Sequence, residues 1–210
     1  RSAAFRKRLG PSRKVMLGVD RLDYTKGIDI RLQAFRELLG SKSAGLEDCV
    51  LVQLAVPSRE RVTEYRDMRA SIEQLVGEIN GQFGELGRMP IHYLHRTLPL
   101  QELVALYRAA DVMRVTPLRD GMNLVAKEYV VSRYDNTGAL VLSEFTGAAR
   151  ELGSALLVNP HDIDDLTMAL DIALHLPPAE QRERMQSLRR SVMRHDVFDW
   201  ARSFLEALGA

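Results

Sequence analysis

Short runs of consecutive apolar residues, several of them β-branched, recur along the chain at Val15 to Val19, Cys49 to Val56, Pro90 to Tyr93, Asp111 to Thr116, Ala139 to Leu142 and Ala155 to Val158. Such runs read as strands buried on both faces. Between them the spacing changes. Ile28, Leu32, Phe35 and Leu39 step along one helical face, and Val62, Tyr65, Met68, Ile72, Leu75 and Ile79 do the same. Alternating strand and helix predicts an α/β fold with a doubly wound parallel sheet. Ser58 reads as the cap of a helix beginning near Glu60, and Pro99 suits the first turn of the helix carrying Leu103, Leu106 and Tyr107. After Pro177 and Pro178 the strand signals stop, and two helical stretches follow at about 179–195 and 198–208.

Composition narrows the function classes. A chain of 210 residues, 46% of them apolar, is long enough for a full core, and one domain is the default count. The formal charge of +1 supplies no broad positive field, so no nucleic-acid partner is implied. Arg1, Arg6, Lys7, Arg8, Arg13 and Lys14 make residues 1–14 basic, which reads as a solvated lead or linker. Cys49 is the only cysteine, so an internal disulfide is impossible and a reducing, cytoplasmic setting is expected. No apolar run approaches the length of a membrane span.

In an open parallel sheet, ligands bind beyond the carboxyl ends of the strands, so the loops after strands are searched first. The first reads Asp20-Arg21-Leu22-Asp23-Tyr24-Thr25-Lys26-Gly27 and places two cations ahead of a helix. Arg21 and Lys26 suit a diphosphate there; pairing with Asp20 and Asp23 is the structural alternative. The second loop runs from Pro117 to Glu128, and Asp120-Gly121 is a turn pair before a helix whose first N–H groups can hold an anion. Glu128, a turn or more farther on, can accept from two neighbouring hydroxyls such as those of a ribose, or pair on the surface with Lys127 or Arg133. The third loop carries Arg59, a candidate phosphate ligand or a plain surface arginine.

Some patterns carry nothing. Asp162-Ile163-Asp164 resembles a metal-binding Asp-x-Asp, but it precedes a periodic helix, and first-turn acids favoured by the helix dipole account for it better. His92, His95, His161, His175 and His195 lack metal-ligand spacing, no serine or cysteine lies in a nucleophile motif, and no G-x-G-x-x-G follows the first strand. Neither a metal nor a cofactor is expected.

Arg21 to Gly27, Thr116 to Tyr129 and Ser143 to Ala149 resemble the trehalose-6-phosphate synthases, retaining glucosyltransferases of GT-B architecture. The resemblance extends from about Val15 to Leu208. It implies the Rossmann-like C-terminal half of such an enzyme and the transfer of glucose from UDP-, GDP- or ADP-glucose to glucose 6-phosphate. By it, Arg21 and Lys26 hold the diphosphate and steady the leaving group. Asp120 and the backbone of Gly121, Met122 and Asn123 grip the glucose. The amides around Leu124 and Val125, with Ala126 and Lys127 beside them, lie along the phosphates. Glu128 takes the ribose, the backbone near Leu98 the base, and Arg59 the phosphate of the acceptor.

The resemblance further divides the chain into the 1–14 lead, a nucleotide-sugar-binding domain over 15–195, and a crossover helix over 196–210 that would pack on a missing N-terminal Rossmann-like domain. Val197, Ala201, Phe204, Leu205 and Leu208 supply that helix's apolar stripe, which without its partner would either refold onto a neighbour or favour self-association into a homo-oligomer. Arg114 departs from the family, which has an apolar residue inside that strand; an edge position, a partner charge or a changed sequence are the readings. Two rival functions remain: a module that senses a sugar nucleotide without turnover, and a sibling transferase with another acceptor.

Overall fold

The computed structural model describes residues 1–194 and 197–209. The boundary expected between residues 195 and 196, and His195 itself, lie outside the described residues. Strands β1 (Lys14–Arg21), β2 (Cys49–Val56), β3 (Ile91–His95), β4 (Val112–Val115), β5 (Ala139–Ser143) and β6 (Leu156–Val158) form one sheet in the order β3-β2-β1-β4-β5-β6. Every pairing is parallel. Each expected strand is therefore present, with ends moved by a residue or two.

Helices cover both faces, which is why the strands read as unbroken apolar runs. On one face α2 (Ile28–Gly40), α3 (Thr63–Phe83) and α6 (Ile163–His175) enclose a core that includes Met16, Leu32, Phe35, Leu51 and Leu170. On the other, α4 (Leu100–Ala109), α5 (Leu124–Ser132) and α7 (Pro178–Arg194) pack over Leu17, Val52, Met113 and Leu140. The chain leaves β1 toward one edge of the sheet and later enters β4 beside β1 to build toward the other. That reversal of strand order opens a crevice at the carboxyl ends of β1 and β4.

Two local expectations are corrected. The basic lead is not a solvated linker. Residues Ser2–Leu9 form α1, which packs against α4. Arg6 bonds the Asp111 carboxylate and the Ala109 carbonyl, while Arg13 is buried and donates to the carbonyls of Cys49 (2.8 Å) and Met89 (3.1 Å). The arginines satisfy main-chain acceptors at the start of the sheet, and those partners lie dozens of residues away in sequence. The helix expected near Glu60 begins instead at Thr63, with no side-chain cap. Arg59 takes a left-handed φ of 49°, and the Val62 amide closes a turn onto its carbonyl (2.9 Å), so the helical path cannot start until that turn ends.

Helix α8 (Val197–Ala207) buries none of its residues. Trp200 and Phe204 stack on it with ring centroids 5.4 Å apart. No helix among the described residues is long and apolar enough to cross a membrane.

Arg114 is fully buried, and β4 lies between β1 and β5, so an edge position does not explain it. Its Nη1 donates to the Arg31 carbonyl (3.4 Å) and its guanidinium lies 5.9 Å from the Phe35 ring centroid, while Nε and Nη2 have no partner. Burial, and then the neighbouring Arg31 charge, push its pKa well below the ordinary arginine value, with Asp20 pulling the other way. A buried charge so poorly matched costs stability. Arg114→Leu is expected to raise the unfolding free energy by about 1 to 4 kcal/mol. Urea titration of both chains checks this; an unchanged or lower midpoint would mean that the guanidinium is better satisfied than the geometry shows.

Candidate functional site

The crevice at the β1/β4 reversal is built from two loops. The first leaves β1 at Arg21 and passes through a 3₁₀ turn, Tyr24–Lys26, before Gly27 adopts a left-handed φ of 58° to start α2. Asp23 caps that turn, accepting from the Thr25 amide (3.0 Å) and hydroxyl (2.8 Å). Tyr65 on α3 donates to the other Asp23 oxygen (3.2 Å). Burial pushes the Asp23 pKa up, but the Thr25 and Tyr65 hydrogen bonds and the Arg21 charge outweigh it and hold the carboxyl below its usual range.

Asp20 and Asp23 are therefore not the partners of Lys26. Asp20 is bound by Arg31 (2.6 Å), and the Lys26 ammonium reaches across the crevice to Asp120 Oδ2 (2.6 Å). Arg21 is exposed and makes no direct ion pair among the described residues.

The second loop ends at Asn123, which caps α5 with a left-handed φ of 62°. Its side-chain oxygen accepts from the Ala126 amide (3.1 Å) and its nitrogen donates to Asp120 Oδ2 (3.0 Å). The Leu118 amide bonds the Thr25 carbonyl (2.8 Å), which joins the two loops. The Leu124 and Val125 amides, with no protein acceptor among the described residues, open the helix on the crevice. A cleft of about 310 Å³ results, lined by Val19, Asp20, Arg21, Lys26, Asp120, Asn123, Leu124 and Val125. Two cations, one of them unpaired, and a helix N-terminus converge on it, an arrangement suited to a phosphorylated ligand.

Other expected residues fall outside that cleft. Ala126 is buried with its amide taken by Asn123, and the Lys127 ammonium is bound to Glu151 (2.6 Å); neither lines the cleft. Gly121 and Met122 are exposed at its rim. Glu128 is exposed a turn farther along α5 and pairs with neither Lys127 nor Arg133; the Tyr107 hydroxyl donates to it (2.9 Å). Leu98 is half-buried in the loop after β3. Arg59, after β2, donates to the Tyr65 hydroxyl (2.7 Å) and lies 5.4 Å from that ring's centroid. The relay Arg59–Tyr65–Asp23 thus connects the third loop to the first.

Asp164 lies in the first turn of α6 as expected, whereas Asp162 is its cap, accepting from the Asp164 (3.0 Å) and Asp165 (3.1 Å) amides. Among the described residues no three His, Cys, Asp or Glu side chains are grouped to hold a metal.

Three features had no role assigned to them from the sequence. Arg31 is buried beneath the site, bonding Asp20 and the carbonyls of Lys26 (2.8 Å) and Arg114 (3.3 Å). Its signal was a charge on the apolar stripe of α2. Gln53, likewise a polar residue in an apolar strand, donates to Asp20 (3.3 Å). The third is the segment after β5: the Asp120 amide donates to the Phe145 carbonyl (3.2 Å), and the Asp120 carbonyl accepts from the Gly147 amide (3.2 Å).

These features define a class: a Rossmann-like domain whose strand order reverses at a phosphate-ready cleft. The chain belongs to glycosyltransferase family 20, whose sequence profile matches residues 1–210. It is 60% identical over 210 residues to the trehalose-6-phosphate synthase of Mycolicibacterium gilvum and 62% identical over 208 residues to that of Mycobacterium avium. These matches cover 100% and 99% of the chain but 42% of each relative, so the chain spans less than half of their length. An α,α-trehalose-phosphate synthase (UDP-forming) from Burkholderia xenovorans, solved with glucose 6-phosphate, superimposes with a TM-score of 0.94 at 44% identity, over 99% of this chain and 46% of that one. The E. coli protein bound with UDP-2-fluoro glucose gives 0.92 at 40%, over 98% and 46%.

Gly147 lies so close to the Gly121 carbonyl that any Cβ there would fall far inside van der Waals contact. Gly147→Ala must displace the Asp120–Gly121 backbone. It is expected to lower stability by about 1 to 3 kcal/mol and to weaken ligand binding in the cleft. Thermal melts with and without nucleotide check this, and unchanged binding would show that the clamp does not set the loop.

Proposed function

We propose that this chain is the donor-binding half of a retaining glucosyltransferase that moves glucose from a nucleoside diphosphate to glucose 6-phosphate, yielding trehalose 6-phosphate. The observation that carries the proposal is the convergence of Arg21, Lys26 and the open N-terminus of α5 on one cleft at the β1/β4 reversal. A diphosphate lying there meets two cations and free amides. As the bond between the sugar carbon and the phosphate oxygen breaks, charge grows on the departing diphosphate, and the held lysine and the helix amides, joined by Arg21, stabilise that charge more than the intact bond. Lys26 has donors to spare after bonding Asp120, so it can bridge the phosphate to the group that faces the sugar.

Asp120, Gly121, Met122 and Asn123 fit the glucose, Glu128 the ribose, the backbone near Leu98 the base, and Arg59 the acceptor phosphate. UDP is the favoured nucleotide, because the similar structures are described as UDP-forming or as bound with a UDP sugar. Retention matches the description of another similar structure, determined to study glycosyl transfer with retention.

Calorimetric titration with UDP, GDP, ADP and their glucose conjugates tests the site. Lys26→Ala and Arg21→Ala are each expected to weaken diphosphate binding by about 1.5 to 3 kcal/mol, the range for a charge-assisted hydrogen bond. Affinity for the free nucleoside should stay the same. If both variants bind diphosphate like the parent, the loop is not a phosphate site.

Transfer needs the acceptor held against the donor, and this chain supplies less than half of its relatives' length. The exposed stripe of Val197, Phe204, Leu205 and Leu208 on and just beyond α8 suits packing on the remaining part of such an enzyme. The chain alone is expected to bind donor and to give no trehalose 6-phosphate from UDP-, GDP- or ADP-glucose with glucose 6-phosphate. Adding the other half as a separate polypeptide should restore turnover; sustained synthesis by this chain alone contradicts the division of labour.

A further inference from the structure

Glu128 stands exposed on α5, where a long carboxylate samples several rotamers unless something holds it. The Tyr107 hydroxyl holds it. That phenol lies on α4, is 1% exposed, and donates to Glu128 Oε2 at 2.9 Å. Its ring is fixed edge-on to Tyr129, with centroids 6.4 Å apart and planes at 75°, within the core between the sheet and α4–α5. Burial, then the Glu128 charge, raise the phenol's pKa, so it remains protonated and can only donate to the carboxylate.

The arrangement is asymmetric. One carboxylate oxygen is bound by a rigid donor, and the other has no protein donor among the described residues. The same helix, α4, begins directly after the loop that carries Leu98. Tyr107 therefore links the helix behind the base-side loop to the residue placed for the sugar.

We propose that Tyr107 is a positioning residue for ribose recognition: it fixes the plane of the Glu128 carboxylate so that two vicinal hydroxyls can donate to it together. This deepens the donor-site assignment and rests on Glu128 meeting the ribose. A phenol that merely fills the core would leave sugar discrimination untouched when its hydroxyl is removed, because phenylalanine keeps the ring.

The experiment measures the affinity of the chain for whichever of UDP, GDP and ADP binds tightest, and for its 2′-deoxy counterpart, in the parent, Tyr107→Phe, Glu128→Gln and the double variant. The parent is expected to favour the ribonucleotide about tenfold, the worth of one hydrogen bond to a charged acceptor. Tyr107→Phe should narrow this to roughly threefold by weakening the ribonucleotide, with the deoxynucleotide changed by less than about twofold. In the Glu128→Gln background the second substitution should add nothing, since residues acting through one contact are not additive. Full discrimination in Tyr107→Phe, or equal losses for both nucleotides, overturns the positioning role while leaving the ribose assignment intact. Parent-like discrimination in Glu128→Gln overturns the ribose assignment and the role of Tyr107 with it.

Discussion

The buried ion pair between Asp20 and Arg31 is the constraint on which the site depends. Both side chains are almost completely enclosed, and removing one partner of such a pair typically costs about 3 to 5 kcal/mol because the other is left as an uncompensated charge. The pair stands under the reversal of strand order. Asp20 is the penultimate residue of β1, and Arg31 comes down from α2 to meet it. The same guanidinium donates to the Lys26 carbonyl on one side and the Arg114 carbonyl on the other. One planar, multi-donor group thus ties the start of the first loop, the main chain at Lys26 and the strand that launches the second. Room for it comes from Gly18, where a Cβ would collide with the Gln53 amide and the Arg31 guanidinium.

Arg114 complicates that anchor. It brings a second guanidinium into the layer that holds one carboxylate, and Asp20 already receives Arg31 and Gln53. The two arginines settle by exchanging main-chain bonds, each donating to the other's carbonyl, which keeps α2 and β4 together without satisfying the added charge. Its side chain is thus a liability carried beneath the site, whereas its carbonyl belongs to the site's support.

The fold was legible because strands covered on both faces must be apolar on both faces, and all six appear as such runs within a residue or two of their observed ends. What failed was local: α1 and the start of α3 depend on a docking surface and on a left-handed Arg59, neither of which periodicity reports. The site was legible in part. Loop position alone placed Arg21, Lys26 and the start of α5 at the strand ends, but the choice between Asp23 and Asp120 as the partner of Lys26 needed three dimensions, since Asp120 is 94 residues away in sequence. Tyr107, Tyr65 and Arg31 were unreadable as supports for the same reason. Tyr107 and Tyr65 look like ordinary members of a helical face, Arg31 shows only as a charge on one, and the partner of each lies on another element.

Lys26 and Asp120 meet across the cleft, and this bears on how the site would work. A lysine left free would have to be ordered on binding, at a cost in side-chain entropy of about 1.5 to 2 kcal/mol. Here the ordering is built into the fold. Arg31 fixes the lysine's main chain, Asn123 and Lys26 share one Asp120 oxygen, and the Phe145 and Gly147 backbone fixes the loop from behind. Arg21, also in the lining, makes no direct ion pair among the described residues. A diphosphate arriving there would meet a rigid lysine and helix terminus and would order the arginine last. Charge stabilisation of a departing phosphate requires such an arrangement, because donors already in place need not reorganise as the charge develops.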